Sequence, residues 1–463
     1  MTFEGVIAVV FTIGAILLFH ESGHFLVAKA CRMRIDEFGI GLPLKSPIVA
    51  LKRGETTYSL NWIPFGAFVR IAGMDPEEGN VERGFHTRPL WQRGVVLAAG
   101  SSMNVVLAAL LFLCAGVFFG EATDVSTTIH RTLPGSPAAQ AGLRSGDQIV
   151  AINDCWTSTE VARVKDGTPG AAAGLRAGDQ ITQVAERDVR DFRDMVSRLG
   201  TESDTDIPIT VKRWDEAEQL PSTHRLRLPR LADAAAILAA APRSPTPAPI
   251  DQLGVTFKPL QWGTVTSIIH NSPRVEMAVT VVREGAQITK KIIPEPQLRE
   301  YLNTDTGEVE QRSVSLIGVV PEHIYRHLSP LESIRSGFAT TAATAAGVLE
   351  GVARLILGEE KPQVVSIVKI AVNIQEYAYE GGYSVLRFGG IISFVIGFLN
   401  ILPLPPFDGW RLVYLGYEGV IGRTPDRKKE ALINLVGFAV VMFAFVILVL
   451  KDVMDLVANR AVR

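Results

Sequence analysis

Four apolar runs constrain this chain more than anything else in it. Residues 4–27, 95–119, 386–403 and 431–450 each have the length a helix needs to cross a bilayer, about 20 residues. A spanning segment must satisfy its own backbone polar groups, so the sequence predicts a polytopic α-helical membrane protein with four transmembrane helices. Hydrophobic residues make up 47% of the 463, and mean hydropathy is +0.22, both above an ordinary soluble chain. The first run lacks a basic leader and ends in His-Glu rather than a small-residue cleavage site, so it is expected to stay in the mature protein rather than act as a signal peptide. Lys29, Arg32 and Arg34 follow the first run, Arg88 and Arg93 precede the second, and Arg423, Arg427, Lys428 and Lys429 precede the fourth. The positive-inside rule makes these flanks cytoplasmic, which puts both termini and the long 120–385 insert outside the cytoplasm; Lys451, Arg460 and Arg463 oppose that orientation.

The first run closes on His20-Glu21-Ser22-Gly23-His24. At helical spacing the two histidines share a face and can clamp a zinc ion. Glu21 beside them is placed to act as general base on a water whose pKa the metal lowers. Chance is the bland alternative, but ionisable groups inside an apolar span are costly and functional by default. Two histidines do not complete a catalytic zinc site, which takes three protein ligands and leaves a position open. The third apolar run ends in Asn400-Ile-Leu-Pro403-Leu-Pro405-Pro406-Phe407-Asp408-Gly409. The prolines must break the helix there, putting Asp408 on irregular chain at the depth of the histidines. Asp408 is the best candidate for the oxygen ligand, and Asn400 for orienting substrate or stabilising an oxyanion. An ordinary exit turn is the competing reading.

Residues 35–72 break into extended pieces, Phe38 to Pro43, Thr56 to Leu60 and Pro64 to Arg70. Non-helical backbone at membrane depth must line protein or a wet cavity, so hairpins here suggest a cavity wall whose edge pairs with an extended substrate. The second run opens on Gly100-Ser-Ser-Met-Asn104, small residues that let helices approach; Asn104 either bonds a neighbouring helix or meets substrate. Beyond residue 120 the composition turns soluble. A repeat appears, Pro134 to Ile149 against Thr168 to Ile181, each copy resembling the short helix, glycine turn and strand of a PDZ domain, a module that captures peptide tails by strand addition. The copies start too close together for two complete PDZ units, so something is shortened or merged. The second has a continuation in a helix at 188–199 and a strand at 207–213, while the first has no room for one. The reading is therefore 1–119, a membrane half with two spans and the 35–72 hairpin loop; 120–230, a tandem or merged PDZ-like region; 231–250, an alanine and proline linker; 251–322, a second PDZ-like or degenerate β-rich domain with strands at 277–283 and 286–293, with a plain spacer or lid as the competing reading; 323–385, with an amphipathic helix at 329–357; and 386–463, the second membrane half.

These motifs together, His-Glu-Ser-Gly-His in the first span, Gly100 to Asn104 in the second, and Asn400-x-x-Pro-x-Pro-x-x-Asp-Gly409 after the third, closely resemble the site-2 protease family of intramembrane zinc metalloproteases, with the PDZ-bearing layout of its bacterial sigma-factor-regulating, RseP-like branch. The resemblance implies His20, His24 and Asp408 as zinc ligands and Glu21 as catalytic base. It also implies a membrane-associated β-element including Phe38, Gly39, Gly41 and Pro43 that engages substrate together with Asn400 and Asn104. Its substrates would be single-span membrane proteins of the anti-sigma-factor type, or remnant signal peptides, cut by regulated intramembrane proteolysis in the inner membrane, with the PDZ-like region as size filter. Ser101 stands where the family often has proline. A net charge of −2 and the lack of a basic tract with aromatics exclude nucleic-acid binding. Cys31, Cys114 and Cys155 lie far apart and imply no disulfide framework or cysteine metal site. The alternative function is a membrane scaffold gathering peptide tails around a structural or vestigial metal, against which stands the missing fourth protein ligand. A transporter would need matched broken spans in both halves, which are absent.

Overall fold

Which segments pack together follows from where the apolar surface must go. In the computed structural model, which describes residues 3–43, 46–74, 81–153, 155–215, 220–240, 248–302, 309–358, 367–422 and 427–461, the chain forms two units. One is Met1–Glu121 with Arg326–Arg463, the other Ala122–Tyr325.

The first unit is built on apolar helices. Five among the described residues are long and apolar enough to cross a membrane, over Val9–Ala30, Leu90–Phe118, Pro330–Leu357, Gly382–Ile401 and Lys429–Leu450. Four coincide with the runs read from sequence; the fifth is the segment read as an amphipathic helix. Its start is fixed by a capping box, Ser329 with Glu332, and its end by Gly358 in the left-handed conformation, as such sequences favour. Gly337 on it lies against the Leu113 backbone, while Leu331, Phe338 and Ile356 are exposed. Two shorter helices, Ile367–Glu380 and Asp408–Ile421, complete the unit. The prolines do stop the third run, at Ile401. Asp408, however, opens the first turn of the next helix rather than lying on irregular chain.

Between the first two helices, Ile35–Leu42, Val49–Arg53, Thr56–Leu60 and Ile63–Ile71 form one sheet. Its order runs Val49–Arg53, Thr56–Leu60, Ile35–Leu42, Ile63–Ile71. Ile35–Leu42 is therefore an interior strand, parallel to Thr56–Leu60 and antiparallel to Ile63–Ile71.

The second unit resolves the crowding of the repeat. Strand Gln148–Ile152 of the first copy pairs with Met277–Arg283, bringing Ile149 opposite Val281 and Ile152 opposite Val279. Strand Gln180–Val184 of the second copy pairs with Asp206–Asp215, bringing Ile181 opposite Val211 and Val184 opposite Ile209. Each copy then has the same succession: short helix, strand, longer helix and hairpin. For the second copy these follow directly, with helix Phe192–Thr201 and hairpin Asp206–Asp215 with Leu220–Pro229. For the first they resume only after the second has finished, with helix Trp262–His270 and hairpin Met277–Arg283 with Ala286–Ile292. The second copy is nested inside the first. The 251–322 segment is accordingly not a free-standing unit. Its Val255–Pro259 joins the second copy's sheet through Thr157–Val164, its Met277–Arg283 and Ala286–Ile292 complete the first copy's, and Glu295–Leu302 with Val309–Leu316 form a separate two-stranded sheet. Residues 231–250 are also more ordered than a linker. Ala234–Ala240 is helical, as an alanine-rich run favours, with Leu231 in the core, and Ala248–Ile250 pairs with Val255–Pro259. Residues 241–247 of the expected linker lie outside the described residues. One apolar core joins both sheets, including Ile129, Ile149, Ile181, Val196, Phe257 and Val281.

The copies also share an internal clamp. In the first, Arg283 grips buried Asp147 through Nε and a terminal nitrogen at 2.7 and 2.8 Å and reaches the Gly142 carbonyl at 2.9 Å. In the second, Arg213 grips Asp179 at 2.7 and 2.8 Å and reaches Gly174 at 2.8 Å. A buried carboxylate needs such a bidentate partner, so the Gly-Asp of each repeat is tied to the arginine of its own hairpin.

Candidate metal centre

Helix Phe3–Ala30 carries His20 and His24 one turn apart, and both are buried. From nearly 400 residues away, the first turn of Asp408–Ile421 brings Asp408 to them. His20 Nε2 and His24 Nε2 each lie 3.2 Å from Asp408 Oδ2, and 3.2 Å from one another. Among the described residues this is the group of histidine, cysteine and acidic side chains whose donor atoms converge closely enough to hold a metal. Tetrahedral zinc with bonds of 2.0–2.1 Å separates its ligand atoms by about 3.3 Å, so the triangle has the size the ion needs. Its chemistry agrees. His24 Nδ1 sits 2.8 Å from the Val96 carbonyl, an acceptor that holds the ring proton on Nδ1 and turns the Nε2 lone pair towards the other two donors. Three electron-rich atoms facing one point call for a cation.

The triangle is open on one side because Gly100 has no side chain. A Cβ there would lie 2.2 Å from His24 Nε2 and 2.7 Å from His20 Nε2. Gly23, on the opposite helix, permits the crossing, since a Cβ would meet the Ala99 carbonyl at 2.3 Å. Sequence reading took Gly100 as a packing residue; its place against both imidazoles has no signature beyond the absence of a side chain. Glu21 lies beside the histidines, its Oε2 accepting the Val69 backbone N–H at 3.2 Å. That bond comes from the side of Ile63–Ile71 turned away from Ile35–Leu42, its only partner strand among the described residues, so that edge of the sheet borders Glu21.

The remaining sequence candidates fall in different places. Phe38, Gly39 and Ile40 have partners on both sides, Tyr58, Ser59 and Leu60 on one and Val69, Phe68 and Ala67 on the other, which leaves their backbone no free edge for strand addition. Phe38 packs on Phe25, with ring centroids 4.9 Å apart. Gly39 faces the Phe68 ring, and Gly41 takes φ +84° against the Ile63 carbonyl, a conformation and an approach a side chain would forbid. Pro43 is exposed past the strand end. Asn400 is half-buried on the last turn of Gly382–Ile401. Asn104 is completely buried, 3.4 Å from His20 Nδ1, and its backbone carbonyl accepts from Ser393 Oγ at 2.8 Å. Sequence reading also missed an ion pair: Arg93, counted there only as a flanking charge, makes a bidentate pair with Glu418, both bonds 2.8 Å, and lies over the Phe85 ring.

Helices of membrane length joined around a triad able to hold a metal, with a neighbouring glutamate, are the plan of a membrane metallopeptidase. The model of peptidase family M50 matches residues 8–444, and the chain belongs to that family, the site-2 proteases. It is similar over nearly its whole length to the zinc metalloprotease RasP of Geobacillus kaustophilus, 25% identical with 98% of each chain covered. It is likewise similar to the regulator of sigma-W protease RasP of Bacillus subtilis, 20% identical, covering 97% of this chain and 98% of the relative. The protein is thus a multi-pass membrane protein and a metalloendopeptidase.

Proposed function

We propose that this protein is a zinc-dependent intramembrane protease that cuts the transmembrane segments of single-span proteins of the anti-sigma-factor type, and remnant signal peptides, in the bacterial inner membrane. The observation that carries the reading is the 3.2 Å triangle of His20, His24 and Asp408 set between apolar helices, with Glu21 beside it. Zinc held there supplies a Lewis acid and lowers the pKa of water towards neutrality. Glu21 takes the proton of the attacking water and delivers it to the leaving amine. A helical peptide bond is shielded by its own hydrogen bonds, so the substrate must be extended before attack. The free edge of Ile63–Ile71 supports a refinement: the unwound segment adds there as a strand, beside the Glu21 that the same edge already contacts. The Asn400 amide, placed on the last turn before the proline break, is assigned to substrate. Basic flanks support a catalytic site near the cytoplasmic side with residues 122–325 outside. The name of the Bacillus relative, a regulator of sigma-W protease, supports the substrate class. The nested repeats support two PDZ-like modules that screen substrate tails.

The test is Glu21→Gln in full-length protein reconstituted with a single-span substrate. Bound zinc is expected to stay at the wild-type level while cleavage is abolished. Cleavage by the variant would overturn the mechanism.

A further inference from the structure

The second helix contains a group whose placement the proposed chemistry leaves unexplained. Asn104 has no exposed surface, so it is closed off from substrate. Its Nδ2 faces His20 Nδ1 at 3.4 Å, while its Oδ1 is buried with no hydrogen-bond partner. An orphaned buried acceptor is costly. The inference rests on the reading of His20 as a metal ligand through Nε2. An imidazole that ligates through Nε2 carries its proton on Nδ1, and that N–H needs an acceptor. For His24 the acceptor is the Val96 carbonyl. For His20 the group facing Nδ1 is the Asn104 carboxamide. A half-turn of that amide exchanges oxygen and nitrogen at almost constant shape, and the hydrogen-bond network decides which orientation holds.

We propose that Asn104 is the positioning residue of His20: its carboxamide oxygen accepts the Nδ1 proton, fixing the tautomer that turns the Nε2 lone pair towards the metal. Its own position is held from the neighbouring helix. Ser393 Oγ bonds its backbone carbonyl, and Gly397 leaves room for its side chain, since a Cβ at 397 would lie 2.9 Å from Asn104 Cβ. Val96, Gly100 and Asn104 then stand at successive four-residue steps on one helix face. They supply an acceptor for one histidine, space for the ion, and an acceptor for the other.

The experiment measures zinc affinity of the full-length protein in detergent by chelator competition, with the electronic spectrum of the cobalt-substituted form as a second readout. Asn104→Leu keeps the shape and removes the acceptor. It is expected to weaken zinc binding about 10- to 100-fold, the usual cost of losing an outer partner of a ligating histidine, and to alter the cobalt spectrum. Asn104→Asp keeps an acceptor and has no donor, so it is expected to bind zinc as tightly as wild type or tighter. A leucine variant with wild-type affinity, or an aspartate variant as weak as the leucine variant, overturns the proposal; the aspartate arm decides it even where the leucine variant fails to fold. His20→Ala separates the two levels of the argument. Lost zinc there with normal binding in Asn104→Leu defeats only the positioning role, whereas zinc retained in His20→Ala defeats the ligand assignment itself.

Discussion

Gly100→Ala adds a single methyl group and tests the metal site without touching a ligand. The new Cβ would lie 2.2 Å from His24 Nε2 and 2.7 Å from both Cε1 and Nε2 of His20. Non-bonded heavy atoms rest at about 3.5 Å or more, so something must move by about 1 Å. Neither ring can swing freely, because His24 is tied to the Val96 carbonyl and His20 faces Asn104. Metal–ligand distances tolerate only about 0.2 Å, several times less than the displacement. The fold should absorb the change more easily than the site. Overpacking costs about 1–3 kcal/mol, partly offset by the roughly 1 kcal/mol by which alanine favours a helix over glycine. The expected outcome is a folded protein whose zinc affinity falls about 100-fold or more, beyond the loss that outer partners alone produce, with cleavage falling in parallel. Zinc affinity by chelator competition and thermal melts with and without chelator measure the two effects separately. Gly14→Ala is the control, since a Cβ at that helical position meets nothing within 4 Å. Wild-type zinc affinity in Gly100→Ala would refute the geometry of the site.

Two further expectations concern an ion pair inside each unit. Arg93 and Glu418 are both largely buried, and breaking a buried pair from one side costs about 3–5 kcal/mol. Arg93→Met should destabilise the protein by that order in denaturant unfolding, and Arg93→Met with Glu418→Met should recover most of the loss; a double variant as unstable as the single one would count against the pairing. In the second unit, burial alone would raise the Asp147 carboxyl, but the Arg283 guanidinium and the Arg144 backbone N–H overcome it and hold the group below the usual carboxylate range. Its folded value lies below its unfolded one, so its stabilisation is complete above about pH 4 and is lost as pH falls through that value towards the folded one. Hydrogen exchange in residues 143–149 and 277–283 should therefore show the advantage of wild type over Asp147→Asn shrinking with acidification, and an advantage that grows would contradict the sign.

What the sequence made legible was the chemistry that is expensive to place in an apolar run. His20, Glu21 and His24 stand out because nothing apolar explains them, and Asp408 because three prolines free the backbone just before it. What it hid was non-local. Glycine and proline punctuation marks extended pieces at Phe38 to Pro43, Thr56 to Leu60 and Pro64 to Arg70 but says nothing of strand order, so the resemblance places substrate on the element of Phe38, whereas the edge strand that borders Glu21 among the described residues is Ile63–Ile71. The repeat was visible, yet the partner of Gln148–Ile152 lies more than 120 residues on, after a complete second copy, and pairing between β-strands carries no mark of such distance. Arg93 reads as a flanking charge because its partner is 325 residues away.

The same non-locality explains why helix Leu90–Phe118, which contributes no ligand, is central to the site. His24 bonds its Val96 carbonyl, its Gly100 leaves the histidine nitrogens uncrowded where the proposed ion would sit, and Asn104 faces His20 from one turn further on. Its first turn carries Arg93, which grips Glu418 on the helix whose own first turn presents Asp408. That helix is 14 residues long, about 21 Å at 1.5 Å per residue, so a grip near one end fixes the lever that carries the third ligand at the other. The three donors come from two helices far apart in sequence and converge within 3.2 Å because a third helix constrains both. A site assembled this way is sensitive to changes in residues that never touch the metal, and those changes should register as lost zinc affinity before they register as lost fold.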